Sequence, residues 1–331
     1  MIPPISLLAM LVDLVEQIPG HQLRRAGAAC PPAYSDRLFV KALVVKALVV
    51  MIVRGVPTVG GLLAMLEQPT PEMQALRPRL TEGDRFPSRR TWERRLNALP
   101  PTLPARIGWL GRELVARLRP WETCGRAGAI DSTVLRARGG VWHQKDREAG
   151  VVPHSSIDTE AHWTKSGWHG WVYGYKLHLV VTVAAVWIPL AAELTSANLG
   201  DNEVTPRLLP ELPPELRFLL GDTNYDAPAL REQCAEAGLA LVTSKHGRYP
   251  HTDPGVEVRR LFHKLRSVAN ENFNEQFKGI FDAHGSVPTR GLVRTRRWAL
   301  GAVFVYQLTL LCRLQRGEDL RVGLKAFLKA A

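Results

Sequence analysis

The stretch Gly128-Ala129-Ile130-Asp131-Ser132-Thr133-Val134 decides the fold class of this chain. Upstream of it, apolar residues recur at helical spacing. Here the apolar run becomes short and continuous, the pattern of a strand, and one acidic residue breaks it. Runs at 175–183, 187–194, 218–221 and 239–244 read the same way. The first three strands follow one another without a long helical pattern. Helical segments at 202–212 and 227–237 then alternate with the last two. Such an order predicts an α/β layer built on a mixed sheet.

Working outward, residues 5–18 and 36–53 carry apolar residues at helical spacing, with Pro and Gly in the gaps, so the first 120 residues are predicted helical. Near the end of that region Ser88 is a predicted N-cap. It is followed by Trp92, Leu96 and Leu99 on one helical face, with arginines around them. On the other side of the sheet, Leu261, Leu265, Val268, Phe273, Phe277 and Ile280 predict an amphipathic helix, and a second follows at 298–314. Residues 136–172, between the first two strands, are rich in Gly, His, Trp, Lys and Arg without a period, which predicts a long loop or small insertion. The expected organisation is a helical region over 1–120, an α/β domain over 121–315 and a short tail over 316–331.

Composition narrows the partners. The chain has 331 residues, 46% of them hydrophobic, and its 43 Lys and Arg against 31 Asp and Glu give a formal charge of +12. Such an excess attracts polyanions at long range and by counterion release, and nucleic acid is the expected one. Cys30, Cys124, Cys234 and Cys312 are too scattered for a zinc or redox motif, and they read as thiols of a reducing cytoplasm. The apolar run at 38–53 contains Lys41 and Lys46 and falls below the roughly 18 uninterrupted residues that span a bilayer, so no membrane role is expected. No secretory signal is expected either.

The acidic residues are the candidates for chemistry. Asp131 follows Ile130 inside a strand pattern, and Asp222 closes the run 218–221. Carboxylates at strand ends project to the sheet edge, where α/β folds commonly place ligands. Two hard anions brought together there repel unless a divalent cation or a proton lies between them. Either aspartate alone reads equally as a cap or turn residue; the pair is the more telling observation.

Ala129-Ile130-Asp131-Ser132-Thr133 and Gly221-Asp222-Thr223-Asn224-Tyr225-Asp226 resemble the two aspartate motifs of the DDE transposases of bacterial insertion sequences. That family often has glycine where Asn224 stands, and Asn is the next best residue for a left-handed turn. The resemblance covers roughly 128–314, with a weaker echo at 87–99. It implies a ribonuclease H-like mixed sheet flanked by helices. It also implies a third carboxylate on the helix after the sheet, where Glu271 and Glu275 are both available. The family's helix signature is Tyr, two residues, Arg, three residues, Glu, six residues, Lys. Glu271 with Lys278 meets its last part, whereas Glu275 would need a lysine at Asp282. The earlier part departs: Lys264 stands at the tyrosine position, Ser267 at the arginine position, and Arg266 is one residue out of register.

By resemblance, Asp131, Asp222 and Glu271 hold two Mg²⁺ or Mn²⁺ ions, which suit oxygen ligands. The implied reaction is cleavage at the element's ends and strand transfer into target DNA. The implied partners are the terminal inverted repeats, target DNA and a second copy of the chain. A nuclease of the same fold that cuts without joining, and an inactive DNA-binding relative, are the competing readings.

Basic residues extend the expectation. Lys278 lies two helical turns beyond Glu271, and Arg260, Lys264 and Arg266 precede it, so this helix is expected to meet DNA. Arg89, Arg90, Arg94 and Arg95 offer a recognition or phosphate-binding face. In the insertion, Trp142, Trp163, Trp168 and Trp171 interleave with cations. They read either as a base-stacking platform, with Trp168 its candidate, or as residues packing the loop onto the sheet. Arg294, Arg296 and Arg297, which open the final helix, read either as an extension of the basic track before Lys278 or, as the simpler reading, as a solvated face.

Overall fold

A computed structural model of the chain describes residues 6–18, 43–81, 86–119, 126–167, 170–243 and 256–331, with side chains in the last segment from Arg260 onward. Among the described residues six helices lead: α1 (Leu7–Leu14), α2 (Val44–Val53), α3 (Val59–Leu66), α4 (Pro71–Arg79), α5 (Arg89–Ala98) and α6 (Leu103–Leu118). Their starts are written in the sequence. Thr58, Thr70 and Ser88 each accept a hydrogen bond from the backbone N–H three residues on, at 3.1, 3.3 and 3.3 Å, which satisfies a donor the helix leaves open.

The sheet follows, with β1 (Ala127–Arg136), β2 (His162–Ser166), β3 (Gly170–Thr182), β4 (Pro189–Ser196), β5 (Phe218–Gly221) and β6 (Ala240–Thr243). β1 lies at its centre, antiparallel to β3 and parallel to β5, which is parallel to β6. β4 pairs antiparallel with β3. Three antiparallel strands, β1, β3 and β4, with the insertion between the first two, followed by two parallel strands on the far side of β1, make the expected ribonuclease H-like mixed sheet. Gly174 faces Arg136 of β1 on one side and His162 of β2 on the other, so β2 prolongs the edge of β3 that β4 occupies further along.

The remaining helices are α7 (Gln144–Glu148), α8 (Asp201–Val204), α9 (Pro228–Glu236), α10 (Val256–Ile280), α11 (Leu292–Gln315) and α12 (Leu324–Ala330). α11 is buried on nearly every side from Thr295 to Arg313, as expected of a helix that is apolar all round. Its Gln307 is wholly buried and donates to the carbonyls of Ile107 in α6 and Pro189 in β4, both at 2.8 Å, which ties three elements at one point. Gly111 permits the contact behind it: a Cβ there would stand 2.7 Å from the Pro189 carbonyl. The apolar surface of α11 is therefore consumed inside the chain and offers no face to a second copy.

Three expectations change. The segment 202–212 is not one helix, because α8 gives way to 3₁₀ turns at Thr205–Arg207 and Leu209–Glu211. Pro206 and Pro210 remove the donors a continuous helix needs. The insertion 136–172 is not structureless: it contains α7, and β2 forms a hairpin with the start of β3. Finally, Leu261, Leu265 and Val268 of α10 are 55%, 37% and 49% exposed. The buried face of α10 runs instead through Arg266, Ala269, Asn270, Phe273 and Phe277. Among the described residues no helix is long and apolar enough to cross a membrane.

Candidate active site

The parallel pairing of β1 with β5 places the two aspartates. Ala127, Gly128 and Ala129 face Phe218, Leu219 and Leu220, and the same register carried two residues on sets Asp131 opposite Asp222. Neighbouring strands lie about 4.8 Å apart, so the two carboxylates leave the sheet side by side. Asp222 follows the last residue of β5 and caps a 3₁₀ turn, its Oδ1 accepting from the Asn224 N–H at 2.8 Å. Gly221 is required by what comes next: a Cβ there would stand 2.8–3.0 Å from the Tyr225 side chain, which folds back over it.

Asp131 is half-buried. Its Oδ1 accepts from the Ser132 N–H at 2.8 Å, and its Oδ2 lies 3.6 Å from Nη1 of the buried Arg266. Loss of solvent pushes this carboxyl up to about 6, Arg266 and the Ser132 N–H pull it down, and the charges of Asp222 and Asp201 raise it further. Tyr225 is buried beside them with a hydroxyl that has no hydrogen-bond partner among the described residues. Burial, then the charges of Asp201, Asp131 and Asp222, push its ionisation well above the usual range. Four groups thus share one electrostatic environment, with a single guanidinium set against three carboxylates.

Asp201 was not among the residues singled out from sequence, although its signal is like that of Asp222: a lone acidic residue shortly after a strand. It begins α8, 3.3 Å from Lys176 Nζ and 3.5 Å from His178 Nδ1. His178 is buried, with Nε2 2.9 Å from Thr195 Oγ1. Burial lowers its pKa to about 4, Lys176 and Arg207 add to the shift, and Asp201 opposes it. The imidazole is therefore neutral at pH 7.

α10 crosses this edge through Asn270, 2% exposed, whose Nδ2 donates to the Ile130 carbonyl at 3.2 Å. Glu271 is the next residue and is exposed; Glu275 is exposed too, 3.6 Å from His284 Nε2. Neither is drawn to the aspartate pair, and among the described residues no three His, Cys, Asp or Glu groups converge as a metal cluster. Lys278 is half-buried; desolvation lowers its pKa, Glu275 and Asp131 oppose that shift, and Arg136 supports it.

The other basic candidates lie outside this centre. Arg260, Lys264, Arg89, Arg90 and Arg94 are exposed. Trp168 lies outside the described residues. Trp142 and Trp163 pack the insertion onto the core, with Trp163 Nε1 donating to the Trp142 carbonyl at 2.8 Å, while Trp171 is 64% exposed.

Residues 122–308, more than half of the chain, match the family described as Transposase DDE domain. No curated protein matches in sequence. Among solved structures, a piggyBac transposase synaptic complex with hairpin DNA aligns over 99% of this chain and 79% of that one, at 10% identity and a TM-score of 0.40. A pre-cleavage Mos1 transpososome aligns over 90% and 83%, at 14% identity and 0.18. A Mos1 strand transfer complex aligns over 89% and 82%, at 15% identity and 0.21.

Proposed function

Because the chain belongs to the transposase DDE domain family, we propose that it is a DNA transposase that cuts at the ends of an insertion element and joins those ends to target DNA. The observation that carries this reading is the nearness of Asp131, in β1, to Asp222, which follows the neighbouring parallel strand β5. The proposed partners are the element's terminal inverted repeats and its target DNA, with two copies of the chain holding two ends.

The donor set fits divalent ions of the Mg²⁺ or Mn²⁺ kind. Asp131 and Asp222 are hard oxygen ligands, and Asp131 is desolvated, with Asp222 and Asp201 adding like charge that opposes the pull of Arg266, so there is negative charge here for a divalent ion to offset. Asp131 and Asp222 would hold such ions, and Glu271, from the helix signature, is the proposed third ligand. When bound, a two-ion site activates the attacking oxygen and stabilises the leaving one.

The chain's own groups do the positioning. Arg266 neutralises Asp131 in the ion-free protein, and the guanidinium becomes available to a phosphate oxygen once Asp131 is otherwise satisfied. Lys278 lies within electrostatic reach of Asp131 and is desolvated, so a phosphate beside it restores the charge pairing it has lost. Asn270 fixes α10 against β1 and sets the distance of both cations from the aspartates.

Incubating the protein with Mg²⁺ and precut ends of the DNA that flanks its gene tests the joining step. Joined products support a transposase. Nicking of uncut ends without joining of precut ones would instead indicate a nuclease of the same fold.

A further inference from the structure

Some distance from the aspartates lies a cavity of about 390 Å³ with Arg138, Arg290 and Arg294 on its wall. Three separate stretches build it: the turn between α2 and α3 at Pro57 and Thr58, the insertion at Arg138 to Ser156, and the loop at Pro288 to Arg294 that enters α11. Two of the guanidiniums are held in place without being neutralised. Arg138 Nη1 donates to the Pro288 carbonyl at 2.8 Å, and Arg290 donates to the Ser155 carbonyl. Arg294 stands one turn beyond Arg290, in the first turn of α11.

Among the described residues no carboxylate lies within ion-pair distance of these three arginines. The nearby acids are used elsewhere: Asp158 Oδ2 accepts from the Gly291 N–H at 2.8 Å, and Glu160 Oε2 accepts from the Leu292 N–H at 3.0 Å. They cap α11, whose first N–H groups need acceptors. Three cations converging on one cavity, two anchored by carbonyls, form a preorganised receptor for an anion with several oxygens.

The position of the cavity names that anion. Arg138 is seven residues beyond Asp131, almost all of them in β1, and at about 3.3 Å per residue the cavity begins roughly 20 Å from the aspartates. The interval carries further positive charge. Lys278 senses both Asp131 and Arg136, and the wall of the cavity is anchored on the end of β1, where Val287 N–H donates to the Arg136 carbonyl at 2.9 Å. Beyond the cavity, the guanidinium carbon of Arg89 lies 3.8 Å from where a Cβ on Gly60 would stand. Cations thus occupy this interval, with Arg266 and Lys278 near Asp131 and Arg136 two residues before Arg138, while Arg89 beyond the cavity is paired with Glu93.

We propose that the Arg138–Arg290–Arg294 cavity binds backbone phosphates of duplex DNA about six nucleotides from the scissile bond. The offset follows from the rise of about 3.4 Å per nucleotide along one strand. The inference rests on the transposase reading for the location of the scissile bond. Binding there is independent of base sequence and uses no metal.

The test is fluorescence anisotropy of the full chain with a 30-base-pair duplex of arbitrary sequence, over a salt series and without divalent ions. The variants are R138A/R290A/R294A and the lysine counterpart R138K/R290K/R294K, each checked for native circular dichroism and Tm. Each phosphate contact contributes about 0.9 to the log–log salt slope, so the alanine variant should lose roughly 2–3 from the slope. Its affinity at 0.15 M salt should fall on the order of 10- to 100-fold. The lysine variant should retain most of the slope. An alanine variant that is folded and keeps both the wild-type slope and affinity overturns the cavity as a DNA site. In that case wild-type binding and joining still leave the transposase reading standing. A wild-type protein that does not bind the duplex at all overturns both.

Discussion

Asp131, inside β1, and Asp222, the residue that follows β5, lie near each other where β1 and β5 pair in parallel as far as Ala129 with Leu220, and Asp222 adds like charge at the Asp131 carboxyl. Two carboxylates so placed repel, and the protein answers with one guanidinium, Arg266, against Asp131. The arrangement costs stability when no divalent ion is present.

That cost sets the first prediction. The Asp131 carboxyl, raised to about 6 in the folded chain, binds its proton more tightly than in the unfolded chain near 4. Its contribution therefore favours folding at low pH and is lost as pH rises from about 4 to about 6. Asp131→Asn should then be more stable than wild type at pH 7 without divalent ions, by about 1–3 kcal/mol. The difference should disappear near pH 4. Thermal melts with EDTA at the two pH values measure it, and equal Tm values at pH 7 would show that Asp131 is not under strain.

His178 has the opposite sign. Its pKa is lowered to about 4, so the folded chain holds it neutral while the unfolded chain takes up a proton near 6.5. Stability from this residue is present above about 6.5 and is lost as pH falls towards 4. His178→Gln retains a donor and an acceptor, and it should flatten that part of the pH–stability curve. A curve as steep as that of the wild type in the same window would argue against a neutral buried imidazole.

The strand periods, the Ser88 cap and the aspartate pair were legible in the sequence because each depends on neighbours a few residues away. The buried face of α10 was not. Leu261, Leu265 and Val268 advertise a core stripe, yet the sheet takes the stripe through Asn270 and Phe273, and only the packing partner decides between them. That is also why Glu271 is on the exposed side despite its spacing to Lys278. β2 escaped notice because His162-Trp163-Thr164-Lys165-Ser166 carries no apolar alternation; it pairs by its backbone with a longer strand. Asp201 needed the third dimension, because its nearness to Asp131 depends on the return of the chain after β4.

Tyr225 and Gly221 form a separate test of the site's construction. The Tyr225 hydroxyl is buried without a partner among the described residues, and an orphaned buried hydroxyl costs about 1–3 kcal/mol. Tyr225→Phe should be as stable as the wild type or more so. Gly221→Ala should lose about 1–3 kcal/mol, because the new methyl meets the Tyr225 side chain at 2.8 Å. Urea unfolding of the two variants compares them directly. A destabilised Tyr225→Phe would mean that the hydroxyl has a partner after all.

The third ligand is open to a direct comparison. Glu271→Gln should abolish Mg²⁺-dependent nicking, while Glu275→Gln, whose carboxylate faces His284, should nick normally. The reverse result would move the ligand by one helical turn. Asp201→Asn belongs in the same series, and loss of nicking there with Glu271→Gln unaffected would assign the third carboxylate to the turn after β4.

The central claim is that Asp131 and Asp222 together hold the catalytic ions, and the measurement closest to it is Mg²⁺-dependent nicking of end DNA by Asp131→Asn and Asp222→Asn, with DNA affinity recorded on the same preparations. Affinity rests on dispersed phosphate contacts, whereas cleavage rests on two ions held in fixed geometry. Each variant should therefore bind within about threefold of wild type and nick at least about 1,000-fold more slowly. Wild-type nicking by either variant would contradict the account.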